Sequence, residues 1–495
     1  MRTKTLLIYL GLLIAGALFP LSLAPLSYWP VAVISMAALF LNLPQQSAKE
    51  AFKRSTIFGL GMFGTGVSWV FVSMYFFGDI SFLLALMGTF LFCFFNAVVF
   101  AVPFSLCTLI PQRNNLWLLA LPAIWVLSEW SRSWILTGFP WLYAGYSHTD
   151  TWISGWAPIG GVFLLSYFTA LAAMVLAQSR FHKNLPLPLA GYALIAMIFL
   201  SGFALQKIHW TQPAEKQISV ALIQPNVNQN DKWSFSMRNE ILQKLLNQTQ
   251  DYWGSEIIIW PEGAIPSLYT QITDFLDIAH QQALNHNTAL ITGLPFNTKP
   301  EGPYYNSMIA LGKGQGIYNK TRLVPFGEYV PFETLIRGLN NFFDLPMSSF
   351  SLGSEEQKPL IAAEVNISTA ICYEIAYPDL VARNTRNTNM LLTVSNDAWF
   401  GDSVAPAQHM QMARMRAIEN AKPVMRGTNN GITGLVDHRG KITHQLEQFT
   451  TGVLTGKISP RTGETPFSKF ASWPVVIFCL LVISMLGLNR LRTKF

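Results

Sequence analysis

Long apolar runs fill both ends of the chain, and a stretch of mixed composition lies between them. Seven runs precede residue 210 and one follows residue 470. Each approaches or exceeds the roughly 20 apolar residues that a helix needs to cross a bilayer. The runs lie at 5–20, 25–43, 56–77, 82–110, 116–136, 158–179, 187–206 and 471–489. This pattern predicts a polytopic α-helical membrane protein with about eight spans.

The first two runs leave an alternative open. They are short, and the residues between and beside them include Pro20, Pro25 and Pro30, so they form either two spans or one re-entrant hairpin. Arg2 and Lys4 precede the first run, as in a signal peptide, but no small-x-small cleavage site follows it. We expect two full spans.

Between residues 210 and 468, short apolar runs alternate with amphipathic stretches. The short runs predict strands at 218–224, 256–260, 289–293, 308–311, 367–372, 390–394, 424–427 and 432–436. The amphipathic stretches predict helices at 236–250, 270–285 and 408–420. Such alternation is typical of a layered α/β domain. The sequence therefore divides into a membrane domain (1–209), a water-exposed domain (210–468), and a last membrane helix with a short tail (469–495).

Composition agrees with this division. Hydrophobic residues make up 51% of the 495 residues and charged residues only 12%, about half of what soluble domains carry. The chain has neither a basic stripe interleaved with aromatic residues nor a nucleic-acid-binding module. We therefore expect a membrane-embedded protein with no nucleic-acid partner.

Basic residues are concentrated in every second loop. If the N-terminus is inside, the inside segments carry Arg2, Lys4, Lys49, Lys53, Arg54, Arg113, Arg180, Lys183, Arg490, Arg492 and Lys494, whereas the outside loops carry Asp79, Glu129 and Arg132. Short cytoplasmic loops retain Lys and Arg. With seven spans before it, the 210–468 domain is predicted to face the outer side of the membrane, with both termini in the cytoplasm. For a bacterial protein this means a multi-pass protein of the inner membrane with residues 210–468 in the periplasm.

One of the four cysteines lies in the 210–468 domain. Cys372 ends an apolar run rich in β-branched residues, where a strand gives way to a turn and a thiol is held rigidly near substrate. On its own, this position is equally typical of a buried core cysteine. The other cysteines, Cys93, Cys107 and Cys479, fall in apolar runs. No paired Cys/His spacing is present, so we expect no metal and no other cofactor.

Two upstream motifs provide chemical partners for the thiol. Glu262 follows an apolar run in IIIWPEG, and Lys320 and Glu328 lie in NKTRLVPFGE. A carboxylate can accept the thiol proton, while an ammonium favours the thiolate and the oxyanion that follows. Together with the run CYE that begins at Cys372, these motifs resemble the Glu-Lys-Cys triad of the nitrilase, or carbon-nitrogen hydrolase, superfamily.

This resemblance implies a four-layer α-β-β-α sandwich with the triad at the strand ends. It implies that Glu262 is the general base, Lys320 the oxyanion cation and Cys372 the nucleophile. It also implies that three neighbours, Glu328, Tyr373 and Glu374, support the lysine, the oxyanion and the pocket.

A triad domain inserted between membrane spans resembles a narrower family, the apolipoprotein N-acyltransferases, over essentially the whole chain. The supporting runs are GFPW at 138–141, GYS at 145–147, QPN at 224–226 and SNDAWFGD at 395–402. The resemblance implies a phospholipid acyl donor, typically phosphatidylethanolamine cleaved at sn-1, and a diacylglyceryl apolipoprotein as acceptor. It also implies a ping-pong cycle through a thioester, as the final step of lipoprotein maturation. We expect a monomer.

Five aromatic residues are candidates for binding acyl chains, namely Trp233, Phe139, Trp141, Trp399 and Phe400. For Trp233, Trp399 and Phe400 the alternative is ordinary packing. For Phe139 and Trp141 it is an aromatic belt at the membrane interface. Residues 338–347, preceded by Arg337, are predicted to form an amphipathic arm at the outer leaflet, with a dimer contact or core packing as the alternatives.

Two other function classes remain open. A membrane-anchored amidase would use the same triad, with water in place of the acceptor amine. A transporter would need ionisable residues along its spans, whereas these spans carry almost no charge. A glutamine-dependent amidotransferase is disfavoured because no synthetase domain accompanies the triad.

Overall fold

The computed structural model describes residues 2–44, 46–78, 80–110, 116–179, 186–329 and 349–492. The chain forms two compact units. The helical unit comprises Met1–Phe71, Ser81–His209 and Lys469–Phe495, and the sandwich unit comprises Val72–Ile80 and Trp210–Ser468. The predicted arm at 338–347 and the loop charges at Asp79, Arg113, Arg180 and Lys183 lie outside the described residues.

The helices of the first part of the chain are α1 (Arg2–Leu18), α2 (Trp29–Phe40), α3 (Ala48–Gly66), α4 (Val70–Phe76), α5 (Phe82–Ala101), α6 (Trp117–Ser131), α7 (Ala157–Ser179) and α8 (Pro186–Leu205). Three described helical stretches are long and apolar enough to cross a membrane: Thr3–Ser22, Phe82–Leu109 and Trp152–Gln178. The pair α3 and α4 would be a fourth, broken by a 53° bend. Four shorter apolar helices accompany them, at Trp29–Phe40, Trp117–Ser131, Leu189–Leu205 and Trp473–Leu488.

The core of the helical unit is built around Trp125 of α6, which is fully buried. The centroids of four phenylalanine rings lie 5.2 to 6.1 Å from its own, those of Phe19, Phe40, Phe58 and Phe100. Aromatic clusters of this kind bury large areas and hold fixed edge-to-face geometry. Helices that are apolar on most faces therefore still pack in one specific way.

Glu129 and Arg132 do not lie in an exposed loop as the charge pattern suggested. Both are buried, at 0% and 1% exposure. Glu129 accepts hydrogen bonds from Trp125 Nε1 and from the Ala144 amide, each at 2.7 Å, and Arg132 donates to the Trp141 carbonyl at 2.7 Å. The two side chains thereby satisfy backbone groups of the irregular 138–144 segment, which apolar surroundings would otherwise leave unpaired.

The sandwich unit contains fourteen described strands. They are β1 (Gln212–Pro213), β2 (Ile218–Gln224), β3 (Ile257–Ile259), β4 (Ala289–Phe296), β5 (Tyr305–Gly312), β6 (Ile317–Asn319), β7 (Leu360–Ala362), β8 (Val365–Ile371), β9 (Met390–Ser395), β10 (Val424–Thr428), β11 (Gly434–Val436), β12 (Ile442–Gln445), β13 (Gly452–Ile458) and β14 (Arg461–Thr462). The helices are α9 (Gln229–Lys232), α10 (Arg238–Thr249), α11 (Thr273–Asn285), α12 (Pro378–Thr385), α13 (Ala405–Asn420) and α14 (Pro466–Phe470); α15 (Trp473–Arg492) belongs to the helical unit.

Twelve of these strands form two six-stranded sheets, ordered β13-β2-β3-β4-β5-β6 and β12-β11-β10-β9-β8-β7. The centre of each sheet is parallel: β2, β3 and β4 in the first, and β8, β9 and β10 in the second. Carboxyl ends of parallel strands meet at one edge of a sheet. The residues that follow β3, β8 and β9 therefore lie at such edges.

The two sheets pack face to face over a core that includes Val220 and Ile259 from one sheet and Ile367 and Leu392 from the other. Residues of α10 and α11 cover the outer face of the first sheet, and residues of α13 cover that of the second. The unit is therefore the four-layer α-β-β-α sandwich that the resemblance implied.

Candidate active site

Cys372 lies where β8 ends and a 3₁₀ turn, Cys372–Ala376, begins. Its backbone is left-handed, with φ of 52°, which costs a residue with a Cβ about 1 kcal/mol or more. His409 Nε2 lies 3.1 Å from the Cys372 carbonyl oxygen and is positioned to donate to it. The Cys372 backbone thus forms a sharp turn that its neighbours hold in place, and the residue as a whole is partly buried.

Glu262 lies three residues beyond β3 and is 8% exposed. Its Oε1 accepts from Asn306 Nδ2 at 2.8 Å and from Lys320 Nζ at 3.3 Å, and its Oε2 accepts from the Asn396 amide at 2.8 Å. Gly293 of β4 makes room for this segment, because a Cβ there would lie 2.6 Å from the Pro261 carbonyl oxygen. The carboxylate is therefore fixed by three donors and by a close backbone approach.

Lys320 is almost completely buried and joins two carboxylates. Its Nζ lies 2.9 Å from Glu328 Oε1, in addition to its contact with Glu262. Asn306 also bridges both acids, since its Nδ2 donates to Glu328 Oε1 at 2.7 Å. Glu328 Oε2 accepts from the Val324 amide at 2.8 Å, which anchors it in its own loop. The predicted second glutamate therefore orients the lysine.

Electrostatics set the resting protonation of these groups. Burial alone would raise the pKa of Glu262, but Lys320 and the hydrogen bond from Asn306 hold it below its usual range. Burial and the Glu262 charge raise the pKa of Cys372 well above that of a free thiol, although Lys320 opposes them. Burial would lower the pKa of Lys320, yet Glu328 and Glu262 raise it. At neutral pH the site therefore holds an ionised base, an ammonium and a protonated thiol.

Glu374 is fully buried and connects the Lys320 loop to the strand that leads to Cys372. Its Oε1 accepts from the Thr321 amide at 2.6 Å and from the Arg322 amide at 3.2 Å, and its Oε2 accepts from the Ile371 amide at 2.8 Å. The Tyr318 hydroxyl lies 3.1 Å from Oε2. This carboxylate therefore positions backbone on both sides of the site.

A Glu374→Gln variant is expected to lose about 1–3 kcal/mol in free energy of unfolding, because its amide NH₂ would face N–H donors and leave a buried group unsatisfied. Thermal unfolding of the detergent-purified protein, followed by tryptophan fluorescence, measures this loss. Glu364→Gln is the matched control, since Glu364 is exposed in the turn between β7 and β8. Equal midpoints for both variants would contradict the positioning role.

A second buried network contacts the carbonyl of Cys372. Asp397 accepts from Ser395 Oγ at 2.5 Å and from Arg426 Nη2 at 2.7 Å. His409 Nδ1 lies 3.1 Å from Arg426 Nη2 and 3.1 Å from Asp397 Oδ1. With Nε2 directed at the Cys372 carbonyl, Nδ1 therefore faces both a donor and an acceptor. Burial and the Arg426 charge lower the pKa of His409, although Asp397 raises it.

The structure places the five aromatic candidates in different surroundings. Trp233 and Phe400 are half-buried in the sandwich unit. Trp399 also belongs to that unit: its ring meets Phe77 edge to face at 6.1 Å, and its carbonyl accepts from Ser73 Oγ at 2.7 Å. Phe139 and Trp141 belong to the helical unit. There they stack on each other at 5.8 Å, and Trp141 is buried.

Tyr373 follows the nucleophile and is buried, with its ring 5.2 Å from that of Tyr377. Sequence reasoning missed three residues that contact Glu262 or the Cys372 carbonyl, namely Asn306, Lys232 and His409, and also Arg426, which contacts His409. Asn396 was quoted only as part of a longer run. Among the described residues no group of three or more His, Cys, Asp or Glu side chains is arranged to hold a metal.

Two family models match the chain. Residues 15–175 match the apolipoprotein N-acyltransferase N-terminal domain, and residues 219–467 match the carbon-nitrogen hydrolase domain. Together these matches confirm the resemblance that the motifs predicted.

Curated relatives match over nearly the full length. A protein of Pseudomonas syringae pv. tomato named apolipoprotein N-acyltransferase is 41% identical over 95% of this chain and 94% of its own. One of the same name from Vibrio parahaemolyticus is 40% identical over 95% of each chain. The solved carbon-nitrogen hydrolase of Helicobacter pylori G27 is 15% identical, with a TM-score of 0.37 over 52% of this chain and 93% of its own.

Proposed function

This chain belongs to the apolipoprotein N-acyltransferase family, and from that premise we propose the reaction it performs. It transfers a fatty acyl chain from the sn-1 position of phosphatidylethanolamine to the α-amine of the N-terminal diacylglyceryl-cysteine of apolipoproteins. The cycle is ping-pong through a thioester on Cys372 and completes lipoprotein maturation.

One observation carries this proposal. In a chain with several apolar helices, the Lys320 ammonium lies 3.3 Å from the Glu262 carboxylate, and both influence the pKa of the Cys372 thiol. A base, a cation and a nucleophile in one buried site suit acyl transfer. A lipid donor and a lipid-anchored acceptor explain why such a site is attached to membrane helices.

In the first half-reaction, Glu262 takes the thiol proton as Cys372 attacks the sn-1 ester carbonyl. Because the resting thiol is less acidic than the Glu262 carboxylic acid, this transfer is coupled to the attack rather than completed before it. Lys320 and the backbone N–H of Tyr373 stabilise the oxyanion. The intermediate collapses, the lysophospholipid alkoxide takes the proton from Glu262, and a thioester remains.

In the second half-reaction, the neutral α-amine of the diacylglyceryl-cysteine attacks the thioester carbonyl. Glu262 accepts the proton that the amine nitrogen loses. The tetrahedral intermediate expels the Cys372 thiolate, which recovers its proton from Glu262. An amide is released, and the enzyme returns to its resting state.

The loop charges support the topology that goes with this function. We propose eight spans, cytoplasmic termini and a periplasmic sandwich unit in an inner membrane, since Lys and Arg concentrate in alternate loops. Half-buried Trp233, Trp399 and Phe400 are proposed to border the acyl chain, while Phe139 and Trp141 remain candidates within the helical unit.

Intact-protein mass spectrometry tests the proposal. The detergent-purified protein is incubated with phosphatidylethanolamine alone and is expected to gain the mass of one fatty acyl chain. Addition of a peptide with a diacylglyceryl-cysteine at its N-terminus should remove that mass and place it on the peptide amine.

The control is the same peptide with an acetylated α-amine, which should leave the acyl adduct in place. Release of free fatty acid at the same rate with either peptide would favour the amidase-type hydrolase instead. Absence of any adduct would contradict the phospholipid donor.

A further inference from the structure

Lys232 lies against the catalytic carboxylate segment, yet the reaction described above does not use it. It ends α9, is 3% exposed, and donates from Nζ to the main-chain oxygen of Glu262 at 3.1 Å. An ammonium has three N–H donors, and within the described ranges this one has a single hydrogen-bond acceptor. Two donors remain for a substrate atom.

Gly263 leaves space beside this ammonium. Its φ is +53°, and a Cβ at this position would lie 3.3 Å from Lys232 Nζ. The Trp233 ring also flanks the ammonium, with its centroid 5.9 Å from Nζ. The ammonium is therefore shielded from bulk water. In such buried surroundings a charge interacts more strongly with its neighbours than it does in water.

A second buried lysine, Lys422, makes the contacts expected of a purely structural role. Lys422 is also fully buried and donates to a main-chain oxygen, that of Thr385 at 2.8 Å. Thr385 is the last residue of α12, where a cation caps free carbonyls and meets the negative end of the helix dipole. Lys232 binds no helix end. Its acceptor belongs to the residue that carries the base.

The net charge of the site also favours a further cation. Lys320 is shared by two carboxylates, Glu262 and Glu328, so these three groups carry a net charge of minus one. Asp397, which also faces Cys372, is paired with Arg426. When Glu262 takes the thiol proton, Lys320 and Glu328 balance each other, so these groups leave the charge of the thiolate, and then of the oxyanion, without a cation to offset it.

We propose that the Lys232 ammonium is a second cation of the reaction centre, which stabilises the Cys372 thiolate and the oxyanion of each tetrahedral intermediate. The inference rests on the proposed Cys372 chemistry. Burial lowers the pKa of Lys232 to about 8, although Glu262 and Cys372 raise it, so the side chain is mostly charged at pH 7.

The test uses the full chain and no lipid. The rate of Cys372 alkylation by iodoacetamide is measured between about pH 7 and pH 10 for the unmodified protein, Lys232→Gln and Lys232→Arg. Lys232→Gln keeps N–H donors but loses the charge, which raises the pKa of the thiol. We expect its rate to be about tenfold lower at pH 7, where Lys232 carries its charge, and the difference to narrow above about pH 8, where the unmodified side chain loses its proton. Lys232→Arg keeps its charge at every pH, so its rate should stay within about threefold of that of the unmodified protein at pH 7 and exceed it above about pH 8.

Lys422→Gln is the matched control, because it also removes a buried ammonium bound to a carbonyl, and its alkylation profile should not move. A folded Lys232→Gln protein with an unchanged profile would overturn the proposal. If Lys232→Gln does not fold, Lys232→Arg decides: a rate above that of the unmodified protein between about pH 8 and pH 10 supports the electrostatic role, and an equal rate there contradicts it. Since no acyl donor is involved, a failed lipid assay would count against the proposed function alone.

Discussion

A Cys372→Ala variant is expected to form no acyl adduct from phosphatidylethanolamine and to lose at least about 10⁴-fold in transfer rate, because the reaction has no other nucleophile. Alanine keeps the Cβ, so the left-handed turn at this position is as demanding as before. Intact-protein mass and a labelled-lipid transfer assay measure the two effects. The fold should be preserved, with a thermal midpoint close to that of the unmodified protein.

Cys93→Ala controls for loss of a thiol elsewhere, since Cys93 is buried in α5 and its Sγ lies 3.5 Å from the Phe63 carbonyl. That variant should still acquire the acyl mass. An adduct of the same mass on Cys372→Ala would show that another residue is acylated, and would end the thioester proposal.

Glu262→Gln is expected to change two rates in opposite directions. Transfer should fall by about 10³-fold, because the general base is lost. Alkylation of Cys372 by iodoacetamide should become faster at a given pH, because the Glu262 charge that raises the pKa of the thiol is removed. A labelled-lipid assay and a pH series of alkylation rates measure both.

Glu256→Gln is a suitable control for this pair of measurements. Glu256 is a carboxylate of the same unit that accepts from the Ser219 amide at 2.9 Å, away from the thiol. Neither the transfer rate nor the alkylation rate should change in Glu256→Gln. If transfer and alkylation fell together in Glu262→Gln, the carboxylate would be supporting the thiolate rather than accepting its proton.

The sandwich could be predicted where apolar, β-branched residues are continuous. The predicted strand at 218–224 has the bounds of β2, Ile218–Gln224. The strand β13, Gly452–Ile458, escaped prediction because its two glycines and its lysine break the apolar pattern. It pairs with β2 at the edge of the sheet, where only Leu454 and Ile458 of its residues are buried. β2 was predicted and β13 was missed because β13 lies at the edge of the sheet, and no local sequence pattern encodes an edge position.

The residues of the site also divide into those that the sequence could predict and those that it could not. The triad residues and Glu328 lie in motifs next to apolar runs or other chemical groups, so their residue types suggested chemistry. Asn306 could not be found in this way, because it interrupts an ordinary strand and meets Glu262 across 44 residues of sequence. The pairing of His409 with the Cys372 carbonyl spans 37 residues. Such contacts exist only once the strands have paired.

The short Val72–Ile80 stretch limits how the sandwich unit can be isolated. Its Ser73 and Phe77 cover the carbonyl and the ring of Trp399, although both come from between helices α3 and α5. A soluble fragment cut at residue 210 would lack them. It would expose an aromatic surface and leave a backbone acceptor to water, beside a loop proposed to hold the acyl chain. The sandwich unit is therefore not independent of this stretch, and the fragment cut at residue 210 is expected to aggregate and to have low activity.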